Sequence, residues 1–188
     1  NEEKFIKKLE SIKEFKTIGV SGTHGKTSTC SMIRHILEET IGCNYFIGAG
    51  DGKVSKDNEY YVVESDEFNR HFTSYHPKSS IITNIEEEHL ECYKDIDDIR
   101  NTFEIFANQT KDFIIANGDN EEVRKVNYKT KVMFYGFNED NDIVIKNLEL
   151  LKEFVGIEKL INDILKKDYK KYANYIYKHD DAFFIGRL

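Results

Sequence analysis

Residues 16–29, KTIGVSGTHGKTST, decide the fold of this chain. Residues 17–20 form an apolar run typical of a buried strand, and Gly22 and Gly25 follow in a loop that opens a helical pattern. Glycines let successive backbone N–H groups converge on one point, and the N-terminus of a helix attracts anions. The stretch therefore predicts a strand, a phosphate-binding loop and a helix.

The side chains of this loop are suited to nucleotide phosphates. Lys26 offers a positive charge for the β- and γ-phosphates, and the hydroxyl of Thr27 is a ligand for Mg²⁺. The full P-loop pattern has a further glycine five residues before Gly25, where this chain has Val20, so the pattern is met in part. A strand-to-helix turn that needs glycine only for its backbone is the alternative. His24 by itself indicates no function.

The composition is that of a folded domain with an acidic balance. The chain has 188 residues, of which 39% are hydrophobic, and a net charge of −7. This length can bury a core, whereas the charge excludes a sequence-wide basic surface for nucleic acid or anionic lipid. Three cysteines without C-x-x-C spacing argue against a disulfide framework or a zinc site and favour the cytoplasm. No apolar run approaches the roughly 18 residues of a membrane helix.

Strand and helix patterns alternate along the chain up to residue 150. Apolar runs predict strands, and apolar residues at helical spacing predict helices. The predicted strands cover residues 17–20, 44–47, 59–64, 80–83, 112–116, 131–135 and 142–150, and the predicted helices cover residues 2–15, 28–40 and 95–108. Residues 48–52 are predicted to form a loop. This order predicts an α/β fold with a doubly wound, mostly parallel sheet.

The sequence changes character after residue 150. Residues 152–177 have helical spacing and many Lys, Ile and Tyr, and residues 182–185 form a single apolar run. We therefore predict two parts: a nucleotide-binding domain over residues 1–150, and a helical tail with a terminal strand over residues 151–188. The origin of the tail is open.

Acidic residues are concentrated where two of the predicted strands end. Glu64, Asp66 and Glu67 close the strand at 59–64, and residues 84–89 (NIEEEH) follow the strand at 80–83. In an open parallel sheet, ligands collect at the carboxyl ends of the strands, where the phosphate loop also lies. Several carboxylates in one place are costly unless a metal ion or cations balance them.

Three segments together resemble the central ATP-binding domain of the Mur ligase family. They are residues 22–27 (GTHGKT), 64–72 (ESDEFNRHF) and 83–89 (TNIEEEH). The resemblance extends over about residues 4–148, through residues 74–77 (SYHP), 117–119 (NGD) and 135–137 (YGF). The members most similar to these segments join L-alanine to UDP-N-acetylmuramate in peptidoglycan synthesis. They activate a carboxylate as an acyl phosphate, which an amine then attacks.

The resemblance implies ATP and Mg²⁺ as ligands and assigns roles to individual residues. It implies catalytic roles for Lys26, Glu64 and His89, and a metal site formed by Thr27, Glu64 and His89. It implies nucleotide contacts by Gly22, Thr23, His24, Gly25, Lys26, Thr27, Ser28 and Asn84. Taken alone, Glu64 would be a capped strand end and His89 a surface histidine, but two strand ends that face one phosphate loop favour the functional assignment.

The resemblance includes neither the separate UDP-sugar domain nor the amino-acid domain of the family. The His-Asn-x-x-Asn region that normally follows the strand at 142–150 is also missing. We therefore expect these 188 residues by themselves to be inactive as a ligase. A non-catalytic nucleotide-binding fragment and a P-loop NTPase that regulates a partner are the alternatives. The second of these lacks support, because the chain has no base-reading motif of a switch NTPase. The oligomeric state is open.

Overall fold

The computed structural model describes residues 15–48 and 50–146, which build an eight-stranded sheet with helices packed on it. The strands are β1 (Lys16–Ser21), β2 (Cys43–Ile47), β3 (Asp51–Lys53), β4 (Tyr60–Glu64), β5 (Ser79–Ile82), β6 (Phe113–Asn117), β7 (Lys131–Gly136) and β8 (Ile143–Val144). The helices are α1 (Lys26–Glu38), α2 (Ile96–Gln109) and α3 (Glu121–Lys125), and a 3₁₀ segment spans Phe68–Ser74.

The order of the strands creates a crevice beside β1. Across the sheet the order is β3-β2-β4-β1-β5-β6-β7-β8, and every neighbouring pair is parallel except β2 and β3. The chain passes from β1 to β2 and the edge strand β3, returns to β4 beside β1, and then crosses to β5 on the other side of β1. Such a reversal leaves a ligand crevice at the carboxyl ends of the central strands. The predicted doubly wound, mostly parallel sheet is confirmed.

Each face of the sheet carries its own hydrophobic cluster, because successive residues of a strand point to opposite faces. Neighbouring residues of β5 illustrate this: Ile81 packs with the cluster around Val20 and α1, whereas Ile82 belongs to the other cluster. In that second cluster, Phe72 of the 3₁₀ segment packs against Phe103 and Phe106 of α2, with ring centroids 5.0 Å apart in both pairs. The segment after β4 is thereby fixed to the sheet through α2.

The 3₁₀ segment is also held by an arginine. Arg70 has a positive φ of 61° and extends its guanidinium to α2, where it donates to Asp98 Oδ2 at 2.7 Å and to Thr102 Oγ1 at 2.6 Å. These bonds anchor the chain immediately after the acidic residues that end β4. Within residues 15–48 and 50–146, no helix has the length and apolar character needed to cross a membrane.

The predicted strands and helices within the described residues agree with the structure to within two residues at most ends. The predicted loop at 48–52 is wrong in part, because Asp51 and Gly52 lie in β3. Gly48 and Gly50 have φ values of 56° and 118°, so the chain turns sharply and β3 returns antiparallel to β2. Of the predicted strand at 142–150, β8 forms a two-residue piece, and residues 147–150 lie outside the described residues. Of the predicted helix at 2–15, residues 2–14 lie outside the described residues, and Phe15 is not helical. The tail and the domain boundary at residue 150 also lie outside them.

Candidate nucleotide site

The glycines of the loop between β1 and α1 have backbone conformations that other residues rarely adopt. Gly22 has a φ of 145°, and a Cβ atom there would lie 1.9 Å from Thr83 Oγ1. Gly25 has a φ of 83° at the N-cap of α1 and provides no side-chain cap. The first N–H groups of a helix have no partner within the helix, so an uncapped start is an anion site. The loop has the backbone form that the sequence predicts.

The loop is held in place by the residues that follow β5. Thr83 Oγ1 donates to the carbonyl oxygen of His24 at 2.6 Å. The amide oxygen of Asn84 accepts from His24 N at 2.8 Å, and its backbone oxygen accepts from Thr23 N at 3.1 Å. Thr23 Oγ1 in turn accepts from Glu86 N at 2.9 Å. The described contacts of Asn84 therefore support the loop, and a contact of Asn84 with a nucleotide stays a prediction.

Lys26 does not extend into solvent. Its Nζ donates to the carbonyl oxygens of Gly22 at 2.8 Å and Thr23 at 3.3 Å, and to Glu67 Oε1 at 2.8 Å. The side chains of Lys26 and Glu67 are 13% and 3% exposed, so this is a buried ion pair.

Glu64 joins the start of α1 to the end of β2. Its Oε1 accepts from Thr27 Oγ1 at 3.0 Å, and its Oε2 accepts from the N–H of Gly48 at 2.8 Å. A hydroxyl and a carboxylate at this separation are a donor set that suits Mg²⁺, which prefers oxygen ligands. Ser28, another predicted contact, lies half-buried in the first turn of α1.

His89 lies on the other side of the ion pair. It has a φ of 57°, its Nε2 is 3.7 Å from Glu67 Oε1, and its Nδ1 is 3.5 Å from Glu91 Oε1. Glu67, Glu88 and His89 each offer one ligand atom, and these atoms lie within 4.8 Å of one another. The three predicted metal ligands thus have different partners: Thr27 contacts Glu64, and His89 contacts Glu67. A shared metal site of Thr27, Glu64 and His89 stays a prediction.

Glu67 is the residue of this site that sequence reasoning left without a role. Burial raises its pKa, and the charge and hydrogen bond of Lys26 oppose that shift. The hydroxyl of Tyr93 donates to its backbone oxygen, and among the described residues its Oε2 has no hydrogen-bond partner. The sequence feature that could have pointed to Glu67 is the group of carboxylates at one strand end, because such a group is costly without a cation. In the structure, Lys26 is that cation.

The mouth of the site carries more acidic than basic groups. Lys26 neutralises Glu67, and His24 Nε2 lies 3.6 Å from Glu86 Oε2, while Glu64 has only uncharged partners among the contacts described above. A phosphate chain brings further negative charge. A divalent cation beside Glu64 therefore fits the balance of charge as well as the donor set.

Comparison with known proteins gives the family. Residues 20–173 match the model of the Mur ligase middle domain, and the chain belongs to this family. It is 42% identical over 135 residues to UDP-N-acetylmuramate--L-alanine ligase of Streptococcus equi subsp. zooepidemicus, covering 72% of this chain and 30% of the relative. It is 41% identical over 145 residues to the ligase of the same name from Lactiplantibacillus plantarum, covering 77% and 33%. The chain spans about a third of the length of these curated relatives.

Solved structures share the fold. UDP-N-acetylmuramate-alanine ligase MurC from Thermotoga maritima matches with a TM-score of 0.63 and 22% identity, over 99% of this chain and 47% of that one. MurF ligase from the same organism, solved in complex with ADP, matches with a TM-score of 0.62 and 21% identity, over 78% and 38%. At these identities the likeness concerns the fold alone.

Proposed function

We propose that this chain is the ATP-binding module of a ligase that joins L-alanine to UDP-N-acetylmuramate in peptidoglycan synthesis. ATP would activate the carboxylate of the sugar acid as an acyl phosphate, and the amine of L-alanine would then displace phosphate. The substrate assignment rests on the names of curated relatives that are 41% and 42% identical to this chain.

The observation that carries the proposal is the loop at the reversal of strand order. Gly22 and Gly25 have positive φ values that shape the loop, and Lys26 and Thr27 stand where the loop becomes α1. The crevice at such a reversal is the common ligand site of open α/β sheets. ATP fits this loop through its phosphates, and Asn84 supports the loop from the end of β5.

Each residue of the site has a distinct task in this proposal. The N–H groups of the loop and the ammonium group of Lys26 bind the phosphates and hold the γ-phosphoryl group in position. Thr27 and Glu64 would hold Mg²⁺, which when bound supplies charge neutralisation on the transferring phosphoryl group. His89 would complete the reaction centre from the end of β5, close to Glu67.

The expectation that the 188 residues by themselves do not make the amide bond stays a prediction. Holding two reactants in line can supply roughly 7–11 kcal/mol of a reaction barrier, and that positioning needs both substrates to be bound. We also infer a cytoplasmic location, because Cys30, Cys43 and Cys92 are free thiols.

Isothermal titration with Mg-ATP tests the proposal on the chain as it is. We expect wild-type binding, and we expect Lys26→Gln to weaken it by about 1.5–3 kcal/mol, the worth of a charge-assisted phosphate contact. Because Lys26 also neutralises the buried Glu67, urea unfolding must show that the variant is folded. A change in ATP affinity when UDP-N-acetylmuramate is present would favour a ligase module over a general nucleotide binder.

The matched control is Lys56→Gln. Lys56 is exposed in the turn before β4, at the opposite end of that strand from the phosphate loop, so the same loss of charge there should leave the affinity unchanged. Equal ATP affinity in the Lys26 variant, the Lys56 variant and the wild type would contradict the assignment of the loop as the phosphate-binding site.

A further inference from the structure

Two carboxylates from one short segment engage the two phosphate-binding side chains of the loop. Glu64 accepts from Thr27 Oγ1 at 3.0 Å, and Glu67, three residues later, accepts from Lys26 Nζ at 2.8 Å. The side chains that would bind a nucleotide are therefore already occupied by groups of the protein.

All three N–H donors of the Lys26 ammonium group have acceptors within the protein. A lysine has three N–H donors, and those of Lys26 go to Gly22 O, Thr23 O and Glu67 Oε1. A phosphate oxygen that binds Lys26 must replace at least one of these acceptors. Glu67 is the charged one, so it is the acceptor that interacts most strongly with the ammonium group.

Hydrogen bonds fix the backbone of Glu67, so the residue cannot move together with Lys26. Its backbone oxygen accepts from the hydroxyl of Tyr93 and from Arg70 N, the latter at 2.9 Å. The guanidinium of Arg70 is itself bound to Asp98 on α2 at 2.7 Å. The residue is 2% exposed, so a carboxylate left without Lys26 would have little water to replace it.

We propose that Glu67 is a positioning residue that holds Lys26 against the loop and competes with nucleotide phosphates for its ammonium group. This inference rests on the proposed function, because the Glu67 carboxylate would compete with the phosphates of the nucleotide proposed for the same site. Even where it replaces only the carbonyl oxygen of Thr23, at 3.3 Å, a metal-free nucleotide brings phosphate charge beside the buried Glu67 carboxylate. The two anions repel each other, and this cost lowers the affinity. Replacing the carboxylate by a neutral amide of the same shape removes most of that cost.

The test is titration of ATP in the presence of EDTA, which leaves the nucleotide without a metal ion. Glu67→Gln keeps the size of the side chain and its oxygen acceptor, and we expect it to bind metal-free ATP about tenfold more tightly than the wild type. Asp66→Asn is the matched control: it removes one negative charge from the neighbouring residue, whose side chain is exposed. The control should change the affinity far less. A purely structural role for Glu67 would weaken binding rather than strengthen it.

Three other outcomes would overturn the inference about Glu67. Equal affinities of Glu67→Gln and Asp66→Asn would overturn the inference while the wild-type titration upholds the proposed function. Weaker Mg-ATP binding with unchanged metal-free binding would make Glu67 a metal ligand and also overturn it. No ATP binding by any folded protein would overturn both.

If Glu67→Gln fails to fold, the competition is measured in the wild type by NMR. Metal-free ATP should shift the Nζ resonance of Lys26 and the carboxyl carbon resonance of Glu67 together. A carboxyl resonance that stays in place at saturating ATP would contradict the competition.

Discussion

Single residues of the phosphate loop depend on partners that are distant in sequence. Lys26 lies 2.8 Å from Glu67, which is 41 positions away, and His24 is bound by Asn84, which is 60 positions away. Lys26 thus has two tasks, because the ammonium group that would bind phosphate also neutralises a buried carboxylate. Substitutions in this loop will affect stability and binding together, and each binding measurement needs a measurement of folding beside it.

Glu64 gives a prediction at the same scale. Because its carboxylate lies 3.0 Å from Thr27 Oγ1, we expect Glu64→Gln to remove most of the gain in ATP affinity that Mg²⁺ provides, by about tenfold or more. The measurement is ATP affinity with Mg²⁺ and with EDTA, and the ratio of the two is the quantity compared.

Asp66→Asn is the control for this prediction as well, since it alters the charge two residues away in an exposed position. An unchanged ratio in Glu64→Gln would show that Glu64 merely ties Thr27 to Gly48, to whose N–H it is also bound at 2.8 Å.

The loop residues could be predicted from the sequence, whereas their partners could not. Two glycines, a lysine and a threonine at fixed spacing after an apolar run have a local physical cause, which is a backbone that converges on an anion. The pairing of Lys26 with Glu67, and of His89 with Glu67, depends on where β4 and β5 end relative to β1. That relation is set by the whole sheet, and no local pattern contains it.

At the scale of elements, periodicity predicted the alternation of strands and helices because most strands are buried on both faces. The edge strand β3 could not be predicted, because its three residues, Asp51–Lys53, are exposed and have no apolar pattern. Its pairing with β2 comes from the turn at Gly48 and Gly50. Short exposed strands of this kind are defined by their neighbours rather than by their own composition.

The connection between β6 and β7 is stabilised by one carboxylate. Asp119 accepts hydrogen bonds from Phe137 N at 2.5 Å, from Asn138 N at 3.1 Å and from Asn141 Nδ2 at 2.8 Å. Burial alone would raise its pKa, but these hydrogen bonds outweigh burial, and the pKa of Asp119 is lowered. The carboxylate therefore stabilises the folded state when it is ionised.

We expect this contribution to depend on pH. A carboxylate whose pKa is lower in the folded state stabilises the protein fully above its unfolded pKa of about 4, and the effect is lost as the pH falls through the folded pKa. Asp119→Asn should reduce the free energy of unfolding at pH 7 by about 1 kcal/mol, since the group is half-exposed and its bonds are partly screened. Near pH 2 the variant and the wild type should be equally stable.

Urea unfolding at both pH values measures the difference, with Glu139→Gln as the control. Glu139 is an exposed residue of the connection between β7 and β8, which Asp119 contacts, and its loss of charge should leave the stability nearly unchanged at either pH. A destabilisation by Asp119→Asn that is the same at pH 7 and pH 2 would refute the role of the ionised carboxylate.

For the whole molecule, the net charge of −7 and the proposed anionic ligand are compatible because the binding groups are local. The backbone N–H groups of the loop, Lys26 and the donor set of Thr27 and Glu64 gather at one crevice. The family relation and the fold agree on a Mur ligase middle domain, and the chain spans about a third of the length of its curated relatives. The amide-forming reaction therefore stays a proposal for this chain.

The central claim is that the loop from Gly22 to Thr27 binds the phosphates of ATP. A crystal structure of the chain with Mg²⁺ and a non-hydrolysable ATP analogue measures this directly. The account predicts β- and γ-phosphate oxygens within hydrogen-bond distance of the loop N–H groups and of Lys26 Nζ, with the metal ion on Thr27 and Glu64. An analogue bound away from the loop, or a loop still empty at saturating analogue with Lys26 on Glu67, would contradict it.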